Sequence, residues 1–528
     1  MSKTWEFYPH YSDDLTEQLL FNRGLKTKEE IEDFFNPDLE KFKSDLELSG
    51  IETAKKRILK AIENKELIIA YGDYDVDGVC GAAILYLGLT AVGGKVLPYI
   101  PHREKEGYGL SKEGLQSVKD QGAGLVITVD NGIVALEAAK FAKDLNLGLI
   151  ITDHHLPLEE KPEALSIVHT TKMCGSAVGW CLVKSLLDEE KSEELLDLVA
   201  MATVADMVPL IGINRALVKK GLKKLSRTKR VGLRALLMES GIWGSEITPY
   251  HVGHILGPRL NAKGRLEHAL DVVRLLCTKD PEKAERLAKD LGTANDQRKL
   301  LVTEAVAQAK TTLEKVDGKV IILESEEWIP GIIGLVAGKI AEEYGMPAIA
   351  ISRGETISKG SARSVKGINI VESIRQFSDL LIDVGGHPQA AGFTLETAKI
   401  SEFRKKLEES MGKEDIIQTD SLLIDAEILS ATLSKKLVED LNKFEPTGVG
   451  NPEPVLVTRS MKVSGLRTVG DGKHLKFKAD NIDAIAFSFG DLINQLKEGQ
   501  MVDLAYRLEI DWFNGNEKLQ LKVVDVQY

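Results

Sequence analysis

Three short apolar runs in the first third of the chain end on acidic or histidine residues, and each is followed by a helical stretch. LIIAY leads into Gly72-Asp73-Tyr74-Asp75-Val76-Asp77-Gly78, GLVITV into Asp130-Asn131-Gly132, and LGLIIT into Asp153-His154-His155. This alternation, which also includes KVLPYI, predicts a βαβ parallel sheet with both faces covered. Groups just beyond the carboxyl ends of neighbouring strands share one crevice in such a sheet. These side chains are therefore expected to meet, although about 80 residues separate the outermost. A spacing of two puts Asp73, Asp75 and Asp77 on one side wherever that stretch is extended.

Five carboxylates and two imidazoles in one crevice repel and desolvate one another unless cations are present, so the pattern reads as a divalent metal site. Mixed oxygen and imidazole ligation suits Mn²⁺ best and admits Mg²⁺; zinc would more usually bring cysteine or a histidine majority. Asp206, in MATVADMVPL, follows a further apolar run at a strand end or loop and can join the set. DxDxDG also opens a calcium EF-hand loop, but with Asp73 as the first loop position the twelfth is Ile84 rather than glutamate, and the motif follows a strand rather than a helix.

At roughly 150 residues per domain, 528 residues imply three or four domains. With no spanning apolar run and no signal-peptide pattern, a cytoplasmic protein without membrane contact is expected. Cys80, Cys174, Cys181 and Cys277 show no CxxC spacing and are expected to be free thiols. The net charge of -12 argues against general polyanion binding. Yet Arg215 to Arg234 holds nine Lys or Arg and no acid, which reads either as a solvated helical face or as a contact with phosphate backbone.

The chain divides into a helical N-terminal segment (1–45), a catalytic α/β domain (46–210) and a helical basic region with a long connecting helix (211–318). A second α/β lobe (319–412) follows, and then a strand-rich C-terminal region (413–528) whose even spacing and Gly turns suggest a small barrel. GPRLNAKGR supplies Arg259, Asn261 and Arg265, and GSARS supplies Ser361 and Arg363. GGHPQAAGF offers Gly385, Gly386 and His387, where glycine lets backbone N–H groups approach an anion. A surface salt bridge is the plain alternative for any one of these arginines.

In order, DYDVDG, VDNG, DHH, VADMVPL, GPRLNAKGR, SAR and GGHPQAAGF resemble the DHH phosphoesterase superfamily with its DHHA1 partner domain, specifically the RecJ single-stranded-DNA-specific exonucleases. The resemblance covers nearly the whole chain. It implies two α/β lobes joined by a long helix plus an OB-like barrel, and two Mn²⁺ or Mg²⁺ ions per site. One ion would be held by Asp75 and Asp130, the other by Asp77, Asp130, His154 and Asp206, with Asp130 bridging and taking part in catalysis with Asp75. His155 would be the catalytic or phosphate-orienting histidine. Many relatives carry histidine where this chain has Tyr71, so the first ion would lose a ligand that Asp73 or water replaces. The DHHA1-type residues Arg259, Asn261, Arg265, Ser361, Arg363, Gly385, Gly386 and His387 would form the substrate wall. Arg103 and Tyr108 resemble a loop that touches the strand's leading nucleotide.

The implied activity is 5′-to-3′ degradation of single-stranded DNA to 5′-mononucleotides in repair and recombination. The protein would act as a monomer, with a single-strand-binding protein and a RecQ-type helicase as further partners. Barrel aromatics Phe477, Phe487, Phe489, Trp512 and Phe513 would be mostly core, with one or two stacking on bases. Two rivals are a DHH-type nano-RNase or nucleotide phosphatase and a catalytically inactive single-strand-binding relative. The extra length argues against the first and the retained acidic set against the second.

Overall fold

The computed structural model describes residues 3–103, 106–107, 109–313, 319–411, 421–511 and 517–528. Two compact units form: Leu46–Asp206 with Gly221–Gln418, and Met1–Asp45 with Met207–Lys220 and Thr419–Tyr528.

In the first unit, the apolar runs build a five-stranded sheet in the order Lys95–Tyr99, Leu67–Tyr71, Ala123–Val129, Gly148–Asp153, Ser166–His169, every pairing parallel. All five residues of Leu67–Tyr71 are buried, as a strand covered on both faces requires. Chain order reverses beside that first strand, so its carboxyl end and that of Ala123–Val129 border the crevice where such sheets bind ligands.

The DYDVDG stretch is not extended throughout. Asp75 is the N-cap of helix Val76–Ala91 and accepts the Gly78 N–H at 3.0 Å, which places Asp77 in the first helical turn. Gly78 is needed there because a Cβ would stand 2.4 Å from the Asp73 nitrogen. Asp206 is likewise not at a strand end: the apolar run before it is helix Leu196–Ala205, and Asp206 is its C-cap.

Helix Gly257–Leu266 and the 32-residue helix Pro281–Thr312 lead to the second lobe. Asp280 caps the long helix by accepting the N–H groups of Glu282 and Lys283. The lobe opens with the expected βαβ module, in which Ile321–Ser325 and Ala348–Ser352 are parallel and joined through helix Ile333–Tyr344. Three antiparallel strands extend the sheet: Ile357–Arg363, Ala390–Glu396 and Leu381–His387.

In the other unit, the N-terminal segment is not purely helical. It begins with strand Thr4–Phe7, paired in parallel with Ser421–Ile424, before helices Leu15–Asn22 and Lys28–Phe35. The C-terminal strands form a six-stranded sheet closed by pairing of Leu456–Val469 with Met501–Asp511. The basic run is not one uniform solvated face: Lys223, Arg227, Lys229 and Arg234 are exposed, while three of its cations are held by the fold. Arg215 is buried and bonded to four backbone carbonyls, Lys219 donates to the Phe35 carbonyl, and Arg230 pairs with Asp197 at 3.0 Å. All four cysteines are free. No helix among the described residues is long and apolar enough to cross a membrane.

Candidate metal centre and phosphate pocket

Strand Ala123–Val129 delivers Asp130 in the left-handed region, at φ 64°, a conformation that costs a non-glycine residue energy and persists where the surroundings enforce it. Gly175 helps to enforce it: a Cβ there would lie 2.6 Å from both Cα and Cβ of Asp130. The sequence reading missed Gly175. Its signal is the run of small residues in CGSAVG, which opens helix Gly175–Lys184.

That helix start also fixes Asp77, whose two carboxylate oxygens accept the N–H groups of Gly175 and Ser176, each at 2.7 Å. The free N–H groups and the positive end of the helix dipole hold the carboxylate in one orientation. His154 Nε2 then stands 3.1 Å from Asp130 Oδ1, 3.7 Å from Asp206 Oδ2 and 3.8 Å from Asp77 Oδ2.

Asp153 does different work from its neighbours. It accepts the N–H groups of Ile133 (2.9 Å), His154 (2.7 Å) and His155 (3.2 Å), and meets His155 Nδ1 at 2.8 Å. Burial pushes this carboxyl up, but the His155 ring and the N–H donors outweigh it and hold it below its ordinary value. Burial opposes a charged His155 ring, and the Asp153 bond and charge, with Asp77 and Asp73, prevail and raise its pKa. Asp153 is therefore a positioning residue that orients both histidines.

Ligand atoms gather in three overlapping groups: Asp73, Asp75 and Asp130; Asp77, His154 and Asp206; and Asp130, His154 and His155. Asp130 belongs to two of them. Burial first, then the surrounding carboxylates, pushes Asp130 and Asp73 well above the ordinary carboxyl range, raises Asp75, and lifts Asp206 to about 9. Asp73 Oδ2 is buried without a hydrogen-bond partner. Carboxylates this crowded and desolvated fit divalent cations. Tyr71 is no ligand: it is buried, stacks on Tyr99 at 4.9 Å and donates its hydroxyl to the Gly109 carbonyl. Asp73 is the oxygen donor grouped with Asp75 and Asp130.

Beside these carboxylates lies a set of arginines. Arg103 stacks over Tyr74 at 4.9 Å, and its charge reaches Asp73. Arg265 donates to the Gly331 carbonyl at 3.2 Å, while burial and the charges of Arg103, Arg298 and Arg363 lower its pKa to about 10. Arg363 donates to the Ala362 carbonyl (2.8 Å) and Ser361 Oγ (3.3 Å), and burial and Arg103 lower its pKa too. Sheet register carries the wall outward, aligning Arg363 with Ala390 and His387, and Ser361 with Gly392 and Gly385. A Cβ on Gly385 or Gly392 would meet nothing within 4 Å, so this strip is open, whereas a Cβ on Gly386, at φ 140°, would stand 2.2 Å from the Ala390 carbonyl oxygen across the strand pair. Arg259 is instead tied to Glu239 at 3.0 Å, the plain salt bridge, and Asn261 Oδ1 is buried without a partner. Tyr108 lies outside the described residues.

A carboxylate and imidazole centre at the switch point of a parallel sheet, with guanidinium groups beside it, defines a metal-dependent phosphoesterase of the DHH class. Family models match in the same order along the chain: the DHH family N-terminal domain over residues 67–203, the DHHA1 domain over 317–413 and the RecJ OB domain over 424–525. The chain is 35% identical to the single-stranded-DNA-specific exonuclease RecJ of Bacillus subtilis, over 97% of this chain and 67% of that one. It is 32% identical to the Salmonella typhimurium RecJ, over 91% and 90%. The crystal structure of Thermus thermophilus RecJ with Mn²⁺ superposes with a TM-score of 0.86 at 29% identity, covering 100% of this chain and 80% of that one, and its Mg²⁺ complex with 0.78. The chain belongs to the RecJ family of exonucleases.

Proposed function

We propose that this protein degrades single-stranded DNA from the 5′ end, releasing 5′-mononucleotides, with two Mn²⁺ or Mg²⁺ ions per site. Asp75, Asp130 and Asp73 would hold one ion and Asp77, Asp130, His154 and Asp206 the other, with Asp130 shared. Bound there, the ions supply an activated water and neutralise charge on the phosphate oxygens during in-line displacement. His155, oriented by Asp153, presents its ring to the reacting phosphate. Arg103, Arg265, Arg363 and Ser361 would hold the terminal phosphate one nucleotide away, since a guanidinium forks to phosphate and serine adds a short donor. Cleavage between that nucleotide's 3′ oxygen and the next phosphorus leaves a new 5′-phosphate on the shortened strand, which fits the same pocket.

The observation that carries this reading is the adjacency of desolvated carboxylates and buried arginines, with Arg103 felt by Asp73 and Asp75 felt by Arg265. Replacing Arg363 with alanine is expected to slow hydrolysis of 5′-phosphorylated single strands and to shrink their advantage over 5′-hydroxyl strands. Equal loss on both substrates, or release of 3′-terminal nucleotides first by the wild type, overturns the assignment. The small-substrate reading leaves the C-terminal barrel without a role, and the inactive-relative reading leaves unexplained a crevice full of mutually repelling carboxylates.

Within the barrel, Phe477 is core and Phe489 packs against it, whereas Phe487 is exposed, edge-on to His474 at 5.2 Å; Trp512 and Phe513 lie outside the described residues. Phe487 is the candidate stacking platform. Phe487→Ala should weaken binding of long oligonucleotides by about 1–3 kcal/mol, the usual worth of one stacked base, and leave dinucleotide cleavage unchanged. Unaltered long-strand affinity would remove Phe487 from the strand path. The protein would work as a cytoplasmic monomer in repair and recombination, with a single-strand-binding protein and a RecQ-type helicase as partners.

A further inference from the structure

The turn Asp153-His154-His155 is held at its start by the Asp153 carboxylate and at its end by a histidine from the neighbouring strand. Strands Gly148–Asp153 and Ser166–His169 run parallel, and Asp153 and His169 are their last aligned pair. Where the ladder ends, the His169 ring continues it: Nε2 lies 2.7 Å from the His155 carbonyl oxygen. A carbonyl oxygen only accepts, so Nε2 carries the proton and donates it. Among the described residues, His169 belongs to none of the three ligand groups at the metal centre.

The position of this bond gives it a consequence for the reaction. Asp153 Oδ1 takes the N–H groups of His154 and His155 and meets His155 Nδ1, three contacts closed within three consecutive residues. They fix the His155 ring relative to Asp153 but do not restrain the peptide that follows it. Packing does not restrain it either, because residues 156–161 are all exposed, Leu156 at 74%. We propose that His169 is a positioning residue for hydrolysis: by holding the His155 carbonyl it fixes where the His155 ring meets the reacting phosphate. A reacting group displaced by about 1 Å can cost about 100-fold in rate, so one such bond has leverage on turnover that it lacks on stability. The bond reaches the main chain of His155 rather than its ring, so His169 acts through that residue and touches no substrate itself. This inference rests on the assignment of His155 to the reacting phosphate made above.

The test uses the full-length protein with Mn²⁺ and 5′-phosphorylated single strands. His169→Leu, which removes the donor, is expected to lower kcat about tenfold, the lower end of what losing an outer-shell partner costs, with KM, the Mn²⁺ requirement and the melting temperature nearly unchanged. His169→Gln, whose amide nitrogen reaches close to the place of Nε2, should recover most of the rate. Because His169 works through His155, adding His169→Leu to His155→Ala should cost nothing further, whereas a separate structural role would multiply the two losses. Multiplied losses overturn the proposal. So does an undiminished kcat in His169→Leu, or a His169→Gln enzyme as slow as His169→Leu. A raised Mn²⁺ requirement in His169→Leu would assign the ring to metal retention and overturn it as well. Should His155→Ala alone turn over like the wild type, the underlying assignment of His155 fails and this inference falls with it; a slow His155→Ala beside a fast His169→Leu sinks the role of His169 alone.

Discussion

Asp130→Asn is expected to abolish metal-dependent hydrolysis while leaving the protein folded and, in the absence of metal, harder to melt. Asparagine tolerates the left-handed backbone at φ 64° that alanine would strain, so the substitution isolates the charge. Loss of activity should exceed the ~10–100-fold typical of losing an outer-shell partner, because Asp130 stands in two of the three ligand groups. The same crowding fixes a pH dependence. Carboxyls raised above their unfolded values, with Asp206 at about 9, stabilise the metal-free fold fully at low pH and lose that contribution as pH rises through the folded values. Metal-free protein should therefore melt at lower temperature at pH 9 than at pH 5, Mn²⁺ should reverse the fall, and Asp130→Asn should flatten it. Calorimetry across that range with and without Mn²⁺, alongside oligonucleotide turnover, checks all three. Appreciable Mn²⁺-dependent turnover by the variant would remove Asp130 as the shared ligand.

Acidic strand ends were readable because the apolar period stops abruptly at Asp73, Asp130 and Asp153, and a parallel sheet places those stops in one crevice. The role of each carboxylate was not readable, since it depends on which N–H groups face it. Asp153 spends its oxygens on Ile133, His154 and His155, whereas Asp73 Oδ2 has none. How far DYDVDG stays extended was not readable, because a period of two is indistinguishable over so few residues from a capped helix start, and the Asp75 cap decides it. Tyr71 looked like a lost metal ligand only by comparison with a family pattern; its ring is occupied by Tyr99 and the surrounding core.

The structural role of Arg215 within the basic run was not readable for a related reason, and the largest stability effect follows from it. Arg215 donates to the carbonyls of Phe34 (2.7 Å), Phe444 (3.1 Å), Glu445 (2.8 Å) and Pro446 (3.0 Å), with its guanidinium 3.7 Å above the Phe34 ring. These acceptors lie more than 180 residues away on either side, so no local window of sequence contains them. Burial lowers the guanidinium pKa to about 10, and the group stays charged at neutral pH. Arg215→Ala removes the donor fork from the Phe34 and Glu445 carbonyls, whereas those of Phe444 and Pro446 still accept from Asn451 Nδ2 at 2.8 and 2.9 Å. At about 1–3 kcal/mol for each of these two acceptors, partly offset by entering water, a loss of roughly 3 kcal/mol is expected. Lysine should recover little, because one ammonium cannot span the positions a planar fork reaches. Every metal-centre carboxylate and histidine lies in the other compact unit. Melting of the barrel-bearing unit should therefore shift down strongly in Arg215→Ala while dinucleotide hydrolysis persists at temperatures where the metal-centre unit is still folded. A melting curve within about 2 °C of wild type would show that Arg215 is replaceable by water and that the unit is held by its apolar core alone.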